Sequence, residues 1–235
     1  NLNNVKIIDA SWHLVKNRNS IEEYNKEHIE NTIFFDLDKN SNRKKSLPHG
    51  HFLPSLIDHE KTISKMGISN TDRIVIYCFS NLISSCRAWF QFLYFGHDPR
   101  LVSVLNGGMK KWKLEGRKVT NLKTKIIPSN YKAKENKNMI KIKSQINENI
   151  KKKDFTVLDA RSKNRFLGLE PEPRPGVKSG SIKGSKSIPL SEIVNLKDNT
   201  FLDTKKLREI FNSSDINGNK IVMSCGSSVS AASLA

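Results

Sequence analysis

The chain has 235 residues, 37% of them hydrophobic, and carries 40 Lys and Arg against 23 Asp and Glu for a net charge of +17. That length and apolar content allow one large or two modest packed domains and exclude global disorder. No run approaches the ~20 apolar residues that span a bilayer, and three scattered cysteines cannot staple a chain of this size, which favours a reducing, cytoplasmic setting. The first half then alternates strand and helix. Short β-branched runs at Val5–Asp9, Thr32–Phe35, Arg73–Tyr77 and Leu101–Leu105 predict strands. Helical patterns lie between and after them at Ser20–Glu30, Ser55–Met66, Ser84–Phe95 and Met109–Glu115, the last three each followed by a glycine suited to a left-handed cap. Such alternation predicts an α/β fold with a mainly parallel sheet flanked by helices.

Charge raises nucleic acid as a partner, because basic surfaces bind phosphate backbones by counterion release. Its distribution argues otherwise. Residues 1–120 are net +6 and residues 154–235 net +3, whereas the 33 residues from 121 to 153 are net +8. Every basic residue in that stretch is Lys, and only Tyr131 could stack on a base. The stretch therefore reads as a solvated linker leading into a lysine-studded helix, and no nucleic-acid partner is expected.

Three segment pairs recur in order at a nearly constant offset. Ile7-Ile8-Asp9-Ala10 matches Val157-Leu158-Asp159-Ala160, offset 150. His28-Ile29 with Ile33-Phe34-Phe35 matches Ser181-Ile182 with Ser187-Ile188-Pro189, offset 153 to 154, and Ile74–Cys78 matches Ile221–Cys225, offset 147. Two copies of one domain are predicted: 1–120, a linker at 121–137, and 138–235. After Cys78 the first copy runs about 42 more residues, but only ten follow Cys225. The second copy is thus expected to be incomplete by roughly 32 residues.

Ligands of parallel sheets sit beyond the carboxyl ends of the strands, where both Cys78 and Cys225 fall. Met223-Ser224-Cys225-Gly226-Ser227-Ser228 is a strand leading into a small-residue turn, and Val229-Ser230-Ala231-Ala232 reads as a helix start. Backbone N–H groups and the positive end of that helix would stabilise a Cys225 thiolate, the reactive form. A cysteine phosphatase would need Arg six residues on, and Ala231 removes that reading. The loop around Cys78 (Phe79-Ser80-Asn81-Leu82) is bulky, which favours a structural or redox-sensitive thiol there. Cys86, Trp89 and Trp112 read as packing residues.

The Cys225–Ser230 loop and the repeat resemble the two-domain rhodanese sulfurtransferases. The resemblance extends over essentially the whole chain. It includes Asp9-Ala10-Ser11-Trp12, Phe34-Phe35-Asp36-Leu37-Asp38, Arg87-Ala88-Trp89, Asn106-Gly107-Gly108 and Glu170-Pro171-Glu172-Pro173-Arg174. It implies tandem rhodanese-like domains, the first non-catalytic and the second catalytic, with Cys225 as nucleophile and no metal or organic cofactor. The loop is similar to that of the subfamily using 3-mercaptopyruvate, with Gly226-Ser227 after the cysteine where thiosulfate users carry basic residues. The resemblance further implies Arg165 and Arg174 as binders of a substrate carboxylate, with Gly226, Ser228, Val229 and Ser230 forming the loop that holds the sulfur. It implies a proton relay of Ser227, His51 and Asp38, the latter two from the first domain. His51 is preferred over His49 because it directly precedes Phe52-Leu53-Pro54. The implied partners are a small sulfur donor and a thiol acceptor such as thioredoxin, or cyanide, and a monomer is expected. Three departures stand out. Ser228 replaces a usual Gly, which strains the loop by about 1 kcal/mol if that position needs positive φ. Ser230 replaces a usual Thr. The usual His-Ile-Pro-Gly run has become His28-Ile29-Glu30-Asn31 and Ser181-Ile182-Lys183-Gly184, read as turn changes.

Overall fold

The computed structural model describes residues 5–14, 17–42, 50–173, 176–214, 216 and 220–235. Its first half is built on a four-stranded parallel sheet of order β2-β1-β3-β4, with β1 Val5–Asp9, β2 Thr32–Phe34, β3 Arg73–Tyr77 and β4 Val102–Val104. β1 and β3 begin and end where the β-branched runs predict. Among the described residues, helices α1 Ser20–Lys26, α2 Leu56–Lys65, α3 Ile83–Tyr94 and α4 Gly108–Leu114 accompany it; each ends short of its sequence pattern, and α3 and α4 begin one residue earlier, because helix termini fray.

The second half holds α5 Lys143–Lys152, β5 Phe155–Asp159, α6 Lys163–Leu167, β6 Lys186–Ser187, α7 Leu190–Ile193, α8 Thr204–Ser213 and β7 Lys220–Ser224. Its sheet is parallel, in the order β6-β5-β7, the order of β2-β1-β3. The offsets read from sequence reappear in the hydrogen bonds. Ala10 N–H donates to the Tyr77 carbonyl at 2.9 Å and Ala160 N–H to the Ser224 carbonyl at 2.9 Å. Asn31 and Gly184, 153 positions apart, both have positive φ, 60° and 80°; Asn and Gly tolerate that conformation, so these turns survive without the family's usual Pro-Gly.

Each sheet has its own apolar core: Ile8, Phe35, Ile63, Ile74, Ile76 and Phe92 in the first, Leu158, Ile188, Leu190 and Ile193 in the second. Val229 inserts into the first core, and Ala232 packs on Leu82 and Cys86 of the first half. Polar ties join the halves as well. Asn199 Nδ2 donates to the Ser80 carbonyl at 3.2 Å and Phe201 N–H to Asn106 Oδ1 at 2.8 Å.

The joint corrects one expectation. Residues 121–136 form neither helix nor strand, but they are strapped onto the first half rather than free in solvent. Ser129 N–H donates to the Ser64 carbonyl at 2.9 Å and Tyr131 N–H to Ser64 Oγ at 2.9 Å. Ala133 N–H bonds Glu60 and Lys134 N–H the Phe95 carbonyl. Tyr131 is buried and stacks against His97 at 5.8 Å. The lysines remain exposed while the backbone is fixed. Among the described residues, no helix is long and apolar enough to cross a membrane.

Candidate active site

Cys225 is the first residue after β7, at the carboxyl end of a strand that pairs with β5 along its whole length. It is partly buried against the second core and opens into a cavity between the halves. From the first half, His51, Leu53, Arg87 and Phe90 line that cavity; Ser228 and Ala231 face it from the second. Ser228 has φ 63°, so the left-handed conformation suspected from sequence is present, and it is exposed, with little packing to offset the strain. Val229 is buried and anchors the loop, while Gly226, Ser227 and Ser230 are partly buried.

Where the sequence reads a helix start, residues Ala231–Ser233 form a 3-10 turn. A positive charge lining the same cavity belongs to Arg87 on α3, which is buried. Its Nη2 donates to the His51 carbonyl at 3.2 Å, and burial lowers its pKa to about 10.

His51 and Asp38 are brought together as expected: Nε2 of His51 lies 2.8 Å from Asp38 Oδ1. The ring is fixed edge-on by Trp12 at 4.8 Å, and its Nδ1 is buried without a hydrogen-bond partner. Ser227 is not joined to that ring by a hydrogen bond among the described residues, and it does not line the cavity. His49 lies outside the described residues, as does Arg174.

Arg165 begins near the cavity in sequence terms but is engaged elsewhere in space. Its Nε and Nη2 fork onto Glu172 at 3.0 and 2.6 Å. Glu172 also accepts from Arg161, which in turn grips Asp159 through Nη2 at 2.7 Å. The Arg165 guanidinium beside Glu172 holds that carboxyl below its ordinary range. Arg165 is thus engaged in an ion pair with Glu172 and is absent from the cavity wall.

Cys78 occupies the matching place in the first half but is filled in. It is fully buried, 3.5 Å from Ser85 Oγ, and a Cβ on Gly108 would come within 2.6 Å of its carbonyl oxygen. Cys86 is also buried, its pKa pushed up to about 12 by burial. Trp89 and Trp112 pack at the margins of the first half's cores.

The comparisons agree with this architecture. The model of the Rhodanese-like domain matches residues 1–115. Thiosulfate/3-mercaptopyruvate sulfurtransferase 1, mitochondrial, of Arabidopsis thaliana is 36% identical over 98% of this chain and 66% of the relative's length. The 3-mercaptopyruvate sulfurtransferase of Homo sapiens is 32% identical over 98% of this chain and 77% of its own.

The chain belongs to the rhodanese family of sulfurtransferases.

The crystal structure of SseA from Escherichia coli superposes with a TM-score of 0.88 at 26% identity, over 99% of this chain and 86% of that one. The sequence pointed to the family's cysteine loop and to the pair His51–Asp38. It missed Arg87 as a member of this rhodanese site, because an arginine in the helical pattern 84–95 reads as one more surface charge. The one signal was its company: Cys86, Ala88, Trp89 and Phe90 leave little room for a solvated face.

Proposed function

We propose that the chain moves the sulfur of 3-mercaptopyruvate to an acceptor through a persulfide on Cys225. The reading is carried by one observation: Cys225 opens from β7 into a cavity it shares with His51, whose ring is held by Asp38, and the loop after it carries no cation. By resemblance, users of the thiosulfate dianion carry basic side chains in the loop directly after the cysteine, whereas Gly226-Ser227 offer only backbone and hydroxyl donors.

In the first step the Cys225 thiolate attacks the substrate sulfur. An S–S bond forms, the C–S bond breaks, and its electron pair leaves on carbon as the enolate of pyruvate, which takes up a proton. Loop N–H groups from Gly226 to Ser230 stabilise the bound sulfur anion. With Nε2 occupied by Asp38, the Nδ1 atom of His51 is the ring position left to exchange a proton with the substrate. Ser227 would join this relay only after its hydroxyl turns toward the bound substrate. A thiolate acceptor such as thioredoxin, or cyanide, then removes the outer sulfur and regenerates Cys225. Arg165 and Arg174 are assigned to the substrate carboxylate by resemblance; for Arg165, the Glu172 fork must open or be shared. The working unit is read as a cytoplasmic monomer of two domains, 1–120 and 138–235.

Steady-state assays with 3-mercaptopyruvate and with thiosulfate, cyanide as acceptor in both, test the donor. Pyruvate release well above thiosulfate turnover is expected. The opposite preference would move the reading to a thiosulfate sulfurtransferase, and no turnover with either would leave a non-catalytic sulfur carrier or scaffold.

A further inference from the structure

The mechanism leaves one buried charge without a task. Arg87 is 1% exposed. Among the described residues its only hydrogen bond is the one to the His51 carbonyl, and its Nε and Nη1 are buried with no partner. No carboxylate pairs with it in the described structure. A buried guanidinium without a counter-anion is costly, by several kcal/mol in general. A fold keeps such a charge where an anion arrives or forms beside it.

The surroundings identify that anion. α3, which carries Arg87, packs at its start against the 231–233 turn, with Cys86 on Ala232 and Ile83 in the same cluster as Cys225. Arg87 and Cys225 line the same cavity. Arg87 also opposes protonation of His59, a ring kept neutral chiefly by its burial. The ionisable group whose negative charge favours protonated Arg87 is Cys225. The other ionisable groups lining this cavity are His51, Lys141, Lys143, Glu148, Asp154 and Lys220. Of these, Lys141, Lys143, Glu148, Asp154 and Lys220 are exposed, so water and salt screen them, whereas Arg87 acts through the interior.

We infer that Arg87 is a positioning residue for charge, a cation lent by the first half that holds Cys225 as a thiolate and then holds the persulfide anion. This rests on Cys225 being the nucleophile. It gives the first half a charge to contribute at a cysteine carried by the second.

The test is the pH dependence of Cys225 alkylation by iodoacetamide, followed by mass spectrometry of the Cys225 peptide with no sulfur donor present. Cys78 and Cys86 are buried and do not interfere. Arg87→Met and Arg87→Gln are expected to raise the midpoint by about one pH unit, slowing alkylation roughly tenfold below it, while Arg87→Lys restores the wild-type midpoint. Gln retains a donor for the His51 carbonyl, so it serves if Met does not fold. An unchanged midpoint in a folded Met or Gln variant overturns the inference. Failure of sulfur transfer in wild type, with the midpoint still shifting in the variants, would sink the proposed function and the persulfide half of this role while leaving the thiolate half standing.

Discussion

Arg165 and Glu172 form a two-pronged ion pair, 3.0 and 2.6 Å long, and Glu172 is the shared hub because it also accepts from Arg161 at 2.7 Å. The side chain of Glu172 is 2% exposed and that of Arg165 19%. Losing the hub leaves the Arg165 guanidinium without its partner and Arg161 with only Asp159 and the Gly180 carbonyl, whereas losing Arg165 leaves Glu172 with Arg161. Glu172→Ala is therefore expected to cost about 3 kcal/mol and Arg165→Ala about 1 kcal/mol in urea unfolding. Equal losses would mean that Glu172 does not organise this segment.

Ser228 stands in a left-handed conformation with its side chain exposed. Glycine adopts that conformation freely and no packing is lost on truncation, so Ser228→Gly should stabilise the folded protein by about 1 kcal/mol. A thermal or urea midpoint that falls instead would show the serine hydroxyl to be holding the loop.

Asp38 holds the His51 ring through Nε2. Asp38→Asn should lower kcat for 3-mercaptopyruvate roughly tenfold, and His51→Gln roughly a hundredfold, with the rate of Cys225 alkylation little changed in either. Rapid-quench measurement of pyruvate release separates this from a binding defect. Unaltered release in His51→Gln would remove the histidine from the chemistry.

Two buried groups pull stability in opposite directions as the solution is acidified. Burial lowers the pKa of His59 to about 3, so between pH 6.5 and 3 the unfolded chain takes up a proton that the fold refuses, and stability falls with pH. Burial raises the pKa of Asp9 to about 6, so between pH 6 and 3.8 the fold holds a proton that the unfolded chain has released, and stability rises as pH falls. His97, also pushed down by burial, adds to the loss. The wild type should lose little stability between pH 6 and 4. Asp9→Asn should lose on the order of 2 kcal/mol more over that range, and His59→Gln should gain a similar amount relative to wild type. Urea titrations at pH 7, 5.5 and 4.5 read all three; parallel curves would contradict the burial of both groups.

Strands were legible because buried parallel strands must be continuous β-branched runs: Arg73–Tyr77 needed no correction, and its echo 147 residues later located β7. The pair His51–Asp38 was legible only through the family's pattern, since the two lie 13 positions apart in the sequence with no periodicity linking them. Residues 121–136 misled because polarity and lysine describe their outward face alone; their attachment depends on backbone bonds to Ser64 and Phe95 and on the single ring of Tyr131, none of which has a periodicity. Arg87 was quoted within the Arg87-Ala88-Trp89 match, but its role went unread for a related reason. Its value lies in what it lacks, a counter-anion, and a missing partner has no sequence signature.

The most direct test is the intact mass of the protein after brief incubation with 3-mercaptopyruvate and no acceptor. The account predicts a gain of one sulfur atom, localised to Cys225, absent in Cys225→Ala, lost on adding cyanide, and matched mole for mole by pyruvate. Pyruvate release without that added mass, or sulfur found on Cys78 or Cys86 instead, would contradict it.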